Sequence, residues 1–100
     1  MAVISFHHLA SGPLSPGETH HWVWNNAGRQ KVWAISVDAE VPLMFAFPGA
    51  IAKVEISRVE YRQNFNGPSS SDTEQEIHHW VKNNGTMEAN YFTHMAVIRE

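Results

Sequence analysis

Cysteine is absent from this 100-residue chain, so no disulfide staples the fold and no thiolate serves as nucleophile or metal ligand. The absence also leans towards a reducing compartment. Positive charge is scarce. Seven Lys and Arg stand singly against ten Asp and Glu, and the net charge is −3. No basic stripe exists to neutralise phosphates, which disfavours nucleic acid. A polybasic amphipathic segment for a membrane surface is missing too. No apolar run approaches the ~20 residues of a membrane helix. The opening "MAVISFHHLASGP" has no basic n-region and reaches a histidine pair after six residues, so it does not read as a signal peptide. The expectation is a soluble chain, cytoplasmic at synthesis, with secretion by another route left open.

Catalytic signatures are missing as well. There is no G-x-S-x-G, no Gly-rich phosphate loop and no H-E-x-x-H. Asp72, Glu74 and Glu76 read as a solvated acidic run rather than a carboxylate pair. The chain is not expected to be an enzyme.

At 100 residues there is room for one core, and 43% hydrophobic with 17% charged residues describes a folded domain. No stretch carries convincing 3.6-residue periodicity. Strand-like runs recur instead, split by turn residues: "AVISFHHLA" (Ala2–Ala10), "ETHHWVWNN", "QKVWAISVDAEV" (Gln30–Val41), "IAKVEISRVEYRQ" (Ile51–Gln63), "TEQEIHHWVKNN" and "TMEANYFTHMAVIRE". "SGPLSPG" reads as a loop. In "IAKVEISRVEYRQ" the apolar alternation changes phase after Ile56, which predicts a bulge near Ser57–Arg58. "PLMFAFPGA", bracketed by Pro42 and Pro48, is an edge strand or a buried loop, with Phe45 and Phe47 packed against something. Asn84-Gly85 predicts a type I′ hairpin between the last two runs, and the "ETHHWVWNN" and "QKVWAISVDAEV" pair looks like a second hairpin. Six or seven short strands with no intervening helix predict an all-β antiparallel β-sandwich, immunoglobulin-like or Greek-key, spanning residues 1–100.

One phrase occurs twice. Glu18–Asn26 and Glu76–Asn84 agree at seven of nine positions and differ only at Thr19/Ile77 and Trp24/Lys82. The expected reading is a pseudo-two-fold internal repeat, each copy being the first strand of a hairpin. The W-V-x-N-N-x-G cadence of Trp22–Gly28, with "LSPGE" (Leu14–Glu18) ahead of it, resembles immunoglobulin-like bacterial sandwich modules. That resemblance implies a sandwich and carries no functional residue with it.

Alternation places Glu18, His20, Trp22 and Trp24 on one face of the first copy. Glu76, His78, Trp80 and Lys82 share a face in the second. Three roles are open for the tryptophans: core, subunit interface, or a flat platform for the apolar face of a sugar. In the last case Trp22, Trp24 and Trp80 stack on the ligand while His20, His78, Asn25 and Asn83 bond its hydroxyls. Adjacent histidines cannot grip one ion, because their rings point to opposite sides of a strand. Carboxylate and imidazole at i, i+2 are about 7 Å apart on one face. Should the two copies neighbour each other, Glu18, His20, Glu76 and His78 would suit zinc. Protonating facing His20 and His78 would instead make a pH-sensitive interface. The expectation is therefore a non-catalytic binding and assembly module, lectin-like and self-associating. The partners are itself and a glycan, with no nucleic acid and no membrane. The alternatives are a structural oligomer without ligand and a zinc-binding protein.

Overall fold

Six strands carry the chain: β1 (Val3–Leu14), β2 (Thr19–Asn25), β3 (Lys31–Glu40), β4 (Val54–Phe65), β5 (Thr73–Asn83) and β6 (Ala89–Arg99). They come from a computed structural model that describes residues 3–25, 31–40, 48–65, 67–68 and 73–99, without the side chains of Lys31 and Thr73. Phe45, Phe47 and the Ala27–Arg29 turn lie outside the described residues. The strands form two antiparallel three-stranded sheets, ordered β1-β6-β3 and β2-β5-β4. The architecture is all-β and sandwich-like.

Neither expected hairpin forms. β2 and β3 lie in different sheets, and so do β5 and β6. The reason is visible at the end of β5. Asn84 N donates to Lys53 O at 2.8 Å and Thr86 N to Ile51 O at 2.8 Å, which draws this connection beside residues 51–53. Gly85 is not among the positive-φ glycines, which in the described residues are Gly12, Gly17 and Gly49. A type I′ turn needs positive φ at both central residues. The chain instead turns a corner and passes to the opposite layer.

The bulge in β4 falls where the apolar alternation slips. Register shifts between Ile56 and Arg58, leaving Ser57 as the extra residue. The "SGPLSPG" segment is less of a loop than its composition suggests. β1 continues to Leu14, which pairs with Ala89, and Gly12-Pro13 (a cis peptide) form a second bulge opposite Asn90. Proline is tolerated there because β1 is an edge strand.

The core lies between the sheets. Leu14, Tyr91 and Val81 are its buried centre, with Trp22, Val37, Val54 and Ile56 packed around them. β6 is the central strand of its sheet and sends Tyr91, Thr93, Met95 and Val97 inward, all buried. Each large apolar side chain fully buried here stabilises the fold by about 1.5–3 kcal/mol. The layers overlap only in part, because Val59, Tyr61 and Phe65, on the inward side of β4, remain exposed. The Cα radius of gyration is 16.5 Å, whereas a compact chain of this length has about 13 Å.

Candidate functional site

The two copies of the repeated phrase pair with each other. β2 and β5 run antiparallel with Thr19 opposite Lys82, His21 opposite Trp80, Trp22 opposite His79 and Asn25 opposite Glu76. Residues directly opposite share a face. His20, Trp22 and Trp24 therefore face inward with Val81, His79 and Ile77. Thr19, His21, Val23 and Asn25 face outward with Lys82, Trp80, His78 and Glu76. The zinc reading required the two Glu-x-His-x-Trp faces to coincide where the copies neighbour each other, and in this register they do not. The register pairs even positions with odd ones, so equivalent residues of the two copies end on opposite sides.

The four-residue zinc arrangement is accordingly not assembled. Glu18 approaches His20 at 3.7 Å and Glu76 approaches His78 at 3.0 Å, so each i, i+2 pair meets within its own copy of the phrase. The pairs lie on different sides of the sheet. Among the described residues no group of three or more His, Cys, Asp or Glu has the geometry to hold a metal ion. Nor does His20 face His78.

On the inward side, Tyr91 ties the sheets together. Its hydroxyl accepts from Trp22 Nε1 at 2.8 Å and donates to His20 Nδ1 at 2.8 Å. Trp24 Nε1 donates to His79 Nδ1 at 3.2 Å. Neutral His79 therefore carries its proton on Nε2, which has no partner among the described residues. Burial, and after it the charge on His21, push the His79 pKa down to about 4. Asn83 is 0% exposed. Its Nδ2 donates to Leu14 O and Met87 O at 2.8 and 2.9 Å, and its Oδ1 accepts from Gly85 N at 2.8 Å. It is bonded to its own chain and offers nothing to a ligand. Asn25, its counterpart in the first copy, is exposed.

On the outward side, Trp80 stands between two neighbours. His21 on β2 stacks on it at 4.3 Å and 3°, and the Arg58 guanidinium on β4 lies 4.9 Å from its centroid. His78 Nε2 donates to Glu76 Oε1, leaving Nδ1 to accept from His21 Nε2 at 2.7 Å. Hydrogen bonds from His78 and then Asn64 hold the Glu76 carboxyl below the usual range. A single platform of Trp22, Trp24 and Trp80 is thus not present. Two rings face inward and the third is flanked on the opposite surface.

A second histidine group went unnoticed in the sequence. His94 Nε2 donates to Asp38 Oδ2 at 2.8 Å, and His94 Nδ1 then accepts from His8 Nδ1 at 2.8 Å. The line crosses β3, β6 and β1. Because His94 uses its two nitrogens in opposite directions, the three side chains do not converge on one ion. Only the β1–β6 register, with His8 opposite His94, brings them together.

That group sits within an apolar surface. The outer face of the β1-β6-β3 sheet carries Ile4 and Phe6 from β1, Phe92, Ala96 and Ile98 from β6, and Val32 and Ala34 from β3. Ile4, Phe6 and Val32 are 55%, 69% and 61% exposed. Compared with protein-family models, curated proteins and solved structures, the chain matches none.

Proposed function

We propose that this chain is a non-catalytic binding and assembly module that self-associates through the outer face of its β1-β6-β3 sheet. One observation carries the reading: Ile4, Phe6 and Val32 stand exposed on one sheet face with Ala34, Ala96 and Ile98 beside them. Monomers rarely expose contiguous apolar patches beyond a few hundred Å². The chain exposes 6570 Å², against about 5,700 Å² for a compact monomer of its mass. The surplus reflects the partial overlap of the two layers together with this uncovered sheet face. The occupant is a second copy, because a two-fold pairing sets this face against itself, apolar on apolar.

The lectin-like part of the reading rests on Trp24 and Asn25. Trp22 is tied to Tyr91, Trp80 is flanked, and Asn83 is buried. Zinc binding has less support, since Glu18 and His20 are on the other side of the sheet from Glu76 and His78. The duplicated phrase fits a Greek-key or immunoglobulin-like sandwich in which one strand was copied and the copies came to pair.

Sedimentation velocity over a hundredfold dilution tests self-association, with Phe6→Lys as the variant. The expected result is a dimer that dissociates on dilution, and a Phe6→Lys chain that is monomeric throughout with an unchanged circular dichroism spectrum. A wild-type chain that is monomeric at every concentration overturns the reading, and so does a Phe6→Lys chain that associates as well as wild type.

A further inference from the structure

A cavity of about 310 Å³ lies between the inner face of the β1-β6-β3 sheet and the end of β2. Its size falls at the small end of ligand pockets, which run from about 300 to 1,000 Å³. Two indoles line it, Trp24 from β2 and Trp33 from β3, with Val97 from β6. Trp24 is held in place by its bond to His79 and by the tilted His7 ring 6.3 Å away. Ser5, Asn25 and Arg99 supply the rest of the polar lining.

The lining is one-sided in charge. Among the described residues it has a guanidinium and no carboxylate. Arg99 makes no ion pair with any described residue, and Arg58 and Arg62, by contrast, both pair with Glu60. Guanidinium is always charged and presents a planar fork that matches a carboxylate with two parallel bonds. The Trp33 indole N–H is buried without a partner among the described residues, and a buried donor left unmet in a native fold asks for an explanation. Flat aromatic walls and a cation that, among the described residues, has neither an ion-pair partner nor a competing acid in the lining describe a site for an anion on an apolar body.

We propose that this cavity binds a small carboxylate-bearing molecule, its flat apolar face against Trp24 and Trp33 and its carboxylate on Arg99. Ser5 bonds a remaining oxygen. The cavity faces the interior of the sandwich and the self-association surface faces outward from the same sheet, so the two proposals stand independently. A ring acid of this kind is either aromatic or a sugar acid, and the chemistry that recognises both is the same.

The test follows the indole N–H signals in ¹H–¹⁵N spectra, with benzoate and glucuronate as the two probes. Benzyl alcohol and glucose serve as their uncharged counterparts. Trp24→Phe and Trp33→Phe assign the two signals. The expected result is saturable movement of both with at least one acid, and weaker movement with its uncharged counterpart. Arg99→Gln should weaken that acid about tenfold or more, as loss of a charge-assisted pair does, and Arg99→Lys should restore part of it. Arg99 is exposed, so its replacement leaves the fold and the remaining signals in place. Benzoate moving the signals where glucuronate does not identifies an aromatic acid, and the reverse a sugar acid. If neither acid moves the signals, if charged and uncharged probes bind alike, or if Arg99→Gln binds as wild type, the proposal is overturned. Repeating the titration on Phe6→Lys separates it from self-association: binding there stands even if the dimer is lost.

Discussion

Trp24 on β2 donates its indole N–H to Nδ1 of His79 on β5, joining the two copies of the repeated phrase on the inner side of their sheet. This bond needs His79 to be unprotonated at Nδ1. Burial, then His21, hold its pKa at about 4, against 6.5 for the free group. A histidine with a depressed folded pKa takes up its proton in the unfolded chain first, so stability falls as pH falls. Between pH 6.5 and 4.5 the expected loss is about 2–3 kcal/mol. Urea midpoints measured across this window check it, and His79→Leu should flatten the dependence. Parallel curves for the two proteins would sink the assignment to His79.

Three carboxylates act lower on the scale. Glu55, Glu60 and Glu76 all have lowered pKa values, chiefly through hydrogen bonds from Lys53, Arg62 and His78. Their contribution is present above the usual carboxylate range and is lost as pH falls through their folded values. A second downward break below pH 4.5 is therefore expected in the same urea series. Glu76→Gln, which keeps the shape of the side chain, should reduce that break and leave the His79 window alone.

Asn25 and Asn83 occupy the same place in the repeated phrase but do different work. Asn83→Ala removes two donors and an acceptor from the buried junction of Leu14, Gly85 and Met87, leaving carbonyls unmet. The expected cost is about 2–4 kcal/mol. Asn25→Ala, on the surface, should stay within about 0.5 kcal/mol. Chemical denaturation of the two variants side by side checks the contrast, and equal losses would refute it.

Gly85 is required by proximity rather than by φ. A Cβ there would stand 2.2 Å from Ile51 O, which accepts from Thr86 N, and 2.7 Å from Lys53 N, both of them backbone atoms. Gly85→Ala must push residues 51–53 away and should cost more than about 1 kcal/mol. Gly17→Ala meets nothing within 4 Å and strains only a φ of 83°, which costs about 1–2 kcal/mol. Thermal melts of both variants read the two losses, and the site of the disturbance tells them apart. Hydrogen exchange at Asn84 and Thr86 should rise in Gly85→Ala alone.

Much of the strand pattern was legible because alternation is a local property. The bulge at Ser57 is one case: Ile56 and Val59 cannot share a face of an unbroken strand, and the slip shows in four residues of sequence. The corner after β5 was not legible. Asn84-Gly85 is compatible with a hairpin, and only the bonds to Ile51 and Lys53, more than thirty positions away, turn the chain into the other layer. His8, His94 and Asp38 likewise become neighbours only through strand order.

By itself the sequence determined that the chain is built of short antiparallel strands in two layers, and that each repeated phrase puts its Glu, its first His and the Trp two residues on together on one side of the strand. Those follow from backbone geometry with a period of two. Which face of one phrase meets which face of the other was decided by register alone. Trp22 lies opposite His79, an even position against an odd one, and a shift of one residue would have brought His20 and His78 to the same side. That choice is made by burial. Trp22 reaching Tyr91, and Val81 and Ile77 filling the inner face beside it, send His78 and Trp80 outward. It depends on residues from every other strand, and no stretch of sequence contains it.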